Sequence, residues 1–107
     1  MNDIEPPVVD NVEERRFEVA VGDATASLTY TRGSAVLALV TTSIPEALRG
    51  TGVAGRLARY AMDAARAEGL KVDPSCPFMI GWLARHPEFA DLVYTQAGPA
   101  ADEPFWF

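Results

Sequence analysis

Cysteine and histidine are almost absent: the 107-residue chain has one of each. A single thiol forms no internal disulfide and no thiolate zinc cage, so disulfide scaffolds and zinc fingers are excluded and no metal site is expected. Long apolar runs are also missing. The longest, Ala35–Val40, is far short of the ~20 residues of a membrane span. Positive charge is scarce, with 9 Lys and Arg against 15 Asp and Glu, for a net charge of −6. That excludes generic nucleic-acid binding, which needs a basic footprint. The opening residues show no basic-then-apolar leader pattern, so a cytoplasmic setting is the expectation.

What is present is half hydrophobic, at 49%, and large enough for one domain with one core. A chain of this length buries roughly 65% of its unfolded surface and needs no covalent staple. The charge is unevenly spread. Residues 1–14 carry five acids and no base, and residues 86–107 carry four acids and no Lys or Arg. Between them, residues 49–71 hold five bases (Arg49, Arg56, Arg59, Arg66, Lys71) against Asp63 and Glu68, for +3.

Residues 1–14, with Pro6-Pro7 and no aromatic, read as a flexible acidic lead-in. The domain is expected over 15–95. Phe17, Val19 and Val21 alternate with polar or small residues, as a half-buried strand does. After the turn at Gly22-Asp23 the alternation is clearest over Thr25–Thr31. Arg32-Gly33-Ser34 then closes a hairpin into Ala35–Thr42, apolar enough to predict a central strand covered on both faces. A helix is predicted from the Gly50–Gly52 loop to Glu68, with Val53, Leu57, Tyr60, Ala61 and Ala64 as its apolar stripe. Gly69 ends it, and Leu70–Val72 follows as a strand parallel to the third. Pro77–Ala84 reads as a second helix, and a third helical stretch starts at His86-Pro87-Glu88. Residues 96–107 read as a tail ending in Phe105-Trp106-Phe107. The order predicts an α/β (α+β) domain: a three-stranded antiparallel meander continued by one β-α-β crossover.

Arg49-Gly50-Thr51-Gly52-Val53-Ala54 stands between the buried strand and the amphipathic helix. The first amides of a helix lack intrahelical partners, and the dipole leaves positive charge there. Glycines let the backbone approach an anion, and Arg49 adds a forked cationic donor. A phosphate or diphosphate suits such a site, and the alternative is a glycine-rich helix start with no ligand. The P-loop is excluded, because its Lys-Ser/Thr is missing. A dinucleotide site is set aside on two expectations: that the third glycine, Gly55, comes one position early for its fingerprint, and that no second parallel strand ends in an acid.

The remaining pattern, R-G-x-G-x-A, resembles the diphosphate loop of the GNAT superfamily of acyl-CoA N-acyltransferases. Val40–Gly50, Gly69–Val72, Pro74–Phe78 and Arg85–Phe89 together resemble its small single-domain (YjdJ-like) members, over roughly residues 15–93. The resemblance implies a truncated GNAT-like fold and transfer of an acetyl group from acetyl-CoA to an amine acceptor, with coenzyme A as the other product. It places the pantetheine along Val40, Thr41, Thr42, Ser43, Ile44 and Pro45, and the diphosphate at Arg49, Gly50, Thr51, Gly52, Val53 and Ala54, within reach of Arg56. Members read His-Thr-Glu-Val-Pro where this chain has Thr41-Thr42-Ser43-Ile44-Pro45. No base is therefore available from those side chains, although the strand keeps its backbone role.

Two catalytic candidates remain. Cys76 precedes Pro77 at a predicted helix start, where a thiol titrates low. It reads either as a site thiol that contacts or accepts the acyl group, or as a buried structural thiol. His86, the only imidazole, reads either as a proton acceptor or as a cap on the next helical turn. Two further functions stay open: a non-catalytic acyl-CoA-binding module, and an interaction module anchored by the aromatic tail. A monomer or weak dimer without nucleic-acid or membrane partners is expected.

Overall fold

A computed structural model describes residues 6–94. In chain order its regular elements are β1 (Val9–Asn11), β2 (Arg16–Val21), β3 (Ala24–Arg32), β4 (Val36–Ser43), α1 (Val53–Glu68), β5 (Lys71–Pro74) and α2 (Pro77–Ala84). A 3-10 turn at Glu46–Leu48 precedes α1, and a longer one at Pro87–Leu92 follows α2. The five strands form one sheet in the order β1-β2-β3-β4-β5, antiparallel except for the β4–β5 pair. This is the α+β meander and crossover that the sequence predicts, with one strand added in front.

The added strand lies in the segment read as a lead-in. Polar contacts hold β1, which is why hydrophobic periodicity does not reveal it. The Tyr30 hydroxyl donates to Asp10 Oδ1 at 2.5 Å, and Arg32 Nη2 donates to Asp10 Oδ2 at 3.2 Å. Arg32 also grips Glu68 through two bonds of 3.1 Å, tying β3 to the end of α1. Residues 1–5 and the tail at 96–107 lie outside the described residues.

The core lies on one face of the sheet. Phe17, Val19, Ala26, Leu28, Leu37, Leu39 and Val72 point there and meet Leu57, Ala58, Ala61, Met62 and Ala65 of α1. Met79 and Trp82 of α2 and Phe89 and Leu92 of the 3-10 turn complete the cluster. The expectation that the third strand is covered on both faces is therefore corrected. On its outer side Val36 and Ala38 are only half-buried, whereas Leu37 and Leu39 on the core side are fully buried. Among the described residues no helix is long and apolar enough to cross a membrane.

One glycine in this frame has no conformational reason to be glycine. Gly81 sits inside α2, and a Cβ there would meet only Arg85 Nη1, at an ordinary 3.8 Å. Gly81→Ala is expected to stabilise the fold by about 0.5–1 kcal/mol, read as a higher urea midpoint at unchanged slope.

Candidate functional site

The site begins where two strands part. The parallel pairing of β4 with β5 ends at Leu39 and Pro74. The amides of Ser75 and Cys76 then close on the Leu39 carbonyl at 3.0 and 3.1 Å. Beyond that point Val40–Ser43 pair with β3 only, so their β5 side has no strand partner among the described residues. A bulge falls there as well. Thr29 faces Thr41 but Tyr30 faces Leu39, leaving Val40 as the extra residue, 43% exposed. An extra residue shifts the side-chain alternation by one. Thr42 thus faces the core side opposite Leu28, while Thr41 and Ser43 turn to the outer face opposite Thr29 and Ser27.

The loop after β4 is built around two left-handed glycines. Gly50 has φ 80° and Gly52 φ 87°, and a Cβ at either would meet nothing within 4 Å. Backbone conformation, not lack of room, selects glycine there. Buried Leu48 anchors the 3-10 turn, and its carbonyl accepts from the Thr51 hydroxyl at 2.5 Å. Arg49 Nε donates to the Ile44 carbonyl at 3.3 Å, which ties the loop back to the strand end. Gly52 caps α1 without a side-chain bond, and the first turn of α1 contains no acid. Gly52 and the first turn therefore supply neither a side-chain cap nor a carboxylate to the positive end of α1.

Strand end, loop and α2 enclose a cleft of about 390 Å³, lined by Thr42, Ile44, Leu48, Arg49, Gly50, Gly52, Ala54 and Phe78. Of the residues expected at a cofactor, the structure brings together Thr42, Ile44, Arg49, Gly50, Gly52 and Ala54. Thr41, Ser43, Pro45 and Thr51 belong to the same segments but do not line the cleft, Val40 is the bulge residue, and Val53 is in the core. Arg56 is elsewhere: it donates to the Pro6 carbonyl and borders a separate groove with Pro7, Val8, Arg59, Tyr60 and Asp63. Sequence reasoning missed Leu48 as a lining residue. Phe78 of α2 is a wall of the cleft.

Cys76 is 4% exposed and stands immediately before α2, next to the cleft walls Thr42 and Phe78. Its Sγ is 3.0 Å from Thr42 Oγ1. Burial pushes the thiol up, but the Thr42 hydroxyl and the amides of Met79 and Phe78 outweigh it, and the net direction is down.

His86 is not brought to the cleft. It lies past the far end of α2, about 15 Å from Cys76 at the helical rise. Its ring stacks on Trp82 at 3.8 Å, and its Nδ1 is 3.3 Å from Glu88 Oε2. Its side chain reaches the Glu88 carboxylate but makes no cap bond to a backbone amide of that turn, so the capping role is not made either. Beside it Arg59 pairs with Glu88 at 3.3 Å and lies over the Trp82 and Phe89 rings, while Arg66 pairs with Asp91 at 3.3 Å.

The grounds for setting a dinucleotide site aside also need correcting. Gly50, Gly52 and Gly55 keep the G-x-G-x-x-G spacing, and Asp73 does stand near the end of a parallel strand, β5. Topology excludes that reading instead. Among the described strands only β4 and β5 pair in parallel, and nine residues, Ile44–Gly52, separate β4 from α1 where the dinucleotide motif needs a tight turn. A family model described as GCN5-related N-acetyl-transferase matches residues 16–92, which spans β2 through the last 3-10 turn and includes the whole cleft.

Proposed function

The chain belongs to the GCN5-related N-acetyltransferase family, and from that premise we propose that it binds acetyl-CoA in the cleft and transfers the acetyl group to an amine. The observation that carries this reading is the uncapped, acid-free start of α1 beside Arg49, opening onto the edge of β4. Members of the family use acetyl-CoA in general. The residues present fit it: glycines that keep the loop backbone bare, helix amides without a cap, and a strand edge free to pair.

Acetyl-CoA, when bound, supplies an acetyl thioester whose carbonyl carbon an amine attacks, with the CoA thiolate leaving. The chain's part is mainly to hold and orient. The amides of Val53 and Ala54 and the Arg49 guanidinium hold the diphosphate. Backbone groups of Val40–Ser43 on the β5 side hold the pantetheine amides. Thr42 lines the wall nearest the strand parting, where the acyl end would lie, with Cys76 buried directly behind it, and Cys76 is the thiol proposed to contact the acyl group. His86 has no part in this arrangement, and the amine's proton goes to water.

A specific observation favours one other reading. Among the described residues no Asp, Glu, His or Lys lines the cleft, and Thr41 and Ser43 stand where the resemblance has the family's His and Glu. A non-catalytic acyl-CoA-binding module would need nothing more. Calorimetric titration with acetyl-CoA and with CoA tests the shared premise, and saturable heats are expected for both. A flat titration would overturn both readings. Acetyl-CoA hydrolysis or consumption across a panel of polyamines, lysine peptides and small amines separates them. Amine-dependent release of free CoA is expected, and binding without release would favour the module.

A further inference from the structure

We propose that Thr42 is a positioning residue for Cys76: its hydroxyl fixes the buried sulfur directly behind the cleft wall, and the bulge at Val40 is what brings the hydroxyl there. The inference deepens the reading above and rests on it. Leu37 and Leu39 point into the core, and unbroken alternation would continue inward with Thr41 and Ser43. Thr42 would then face away from α2. The extra residue reverses this and sets Thr42 opposite Leu28, on the side where α2 begins.

The contact that results is specific. Thr42 Oγ1 and Cys76 Sγ are 3.0 Å apart, although 34 residues separate them in sequence. Thr42 is the one side chain among the sulfur's main influences, so its hydroxyl is the side-chain partner that fixes Sγ. The cysteine's backbone is fixed separately, by its amide on the Leu39 carbonyl at 3.1 Å. Thr42 also lines the cleft, so one side chain touches both the ligand space and the sulfur. The other main influences on the sulfur are neutral backbone groups: those of Phe78 and Met79 from α2, and that of Thr42 from β4. No charged side chain is among them. The hydroxyl donates to the sulfur in its thiolate form and accepts from it as a thiol.

The chain's single cysteine makes this measurable without background. Thiolate absorbance near the ultraviolet edge, followed against pH with Cys76→Ser as the blank, reports one sulfur. Wild type is expected to titrate below an ordinary thiol. Thr42→Val keeps the shape and removes the hydroxyl, and should raise the midpoint by about one pH unit. Thr42→Ser should restore it. Thr42→Ala repeats the loss without a branched side chain, should valine disturb folding. Coincident curves for wild type, valine and alanine would overturn the proposal, as would failure of serine to restore the midpoint. Acetyl-CoA calorimetry on the same proteins keeps the two ideas apart. A flat wild-type titration counts against the binding site, whereas the thiol curves alone judge Thr42.

Discussion

Acetyl-CoA binding is expected to fall at least about a hundredfold in Gly52→Glu, with the fold retained. Room is not the issue, because a Cβ at Gly52 would meet nothing within 4 Å. Two other effects act. With φ at 87° the residue is left-handed, a conformation that costs a side-chain-bearing residue roughly 1–2 kcal/mol. The new carboxylate also stands where the diphosphate is proposed to sit. At roughly 5 Å and an effective dielectric near 20, two like charges repel by about 3 kcal/mol, or about two decades in affinity. Gly52→Asn separates the two terms, since asparagine tolerates the left-handed region and adds no charge. It should bind within a few-fold of wild type. Calorimetry reads the affinities, and thermal melting confirms that each variant folds. Equal affinity for Gly52→Glu and wild type would remove the loop from the site.

Phe17→Ala is expected to cost about 3–5 kcal/mol, a large share of the roughly 5–15 kcal/mol that holds a small domain. Phe17 is fully buried on β2, under α1. Its ring centroid lies 4.6 Å from Tyr30 and 5.4 Å, edge-on, from Tyr60. It therefore joins β2, β3 and α1, and the surrounding rigid sheet cannot collapse into the void. Tyr30 is also the residue that holds Asp10, so the loss should loosen β1 as well. Urea unfolding reads the first effect as a lower midpoint. Amide exchange at Val9–Asn11 reads the second as earlier exchange than in the rest of the sheet. A loss below about 1 kcal/mol would show that this core repacks freely.

These two residues also show how far the sequence is legible. Phe17 sits in a clean alternation, and alternation is what a one-sided sheet imposes on any strand with a wet face. Val53, Leu57 and Ala61 repeat at helical spacing and are buried on α1, for the same reason. The loop glycines are legible because a positive φ has few other solutions. β1 is not legible, because its hold is a hydroxyl and a guanidinium on Asp10, contacts 20 and 22 residues apart with no period to detect. The bulge at Val40 is not legible either. Val36–Val40 is apolar throughout, so nothing in it marks where the alternation slips. That slip decides whether Thr41 or Thr42 meets the sulfur.

The charge pattern divides in the same way. Sequence alone determined that an acidic chain keeps a basic stretch at its glycine loop and first long helix, and that the helix start suits an anion. Only the tertiary structure decided which of those charges face the cleft. Arg59 and Arg66 are drawn to Glu88 and Asp91 of the last turn, Lys71 donates to the Asp91 carbonyl at 2.7 Å, and Arg56 reaches Pro6. Arg49 alone of the five lines the cleft. The physical reason is that local spacing fixes which side of a helix a charge lies on. Which partner that side meets depends on segments that fold back from elsewhere in the chain.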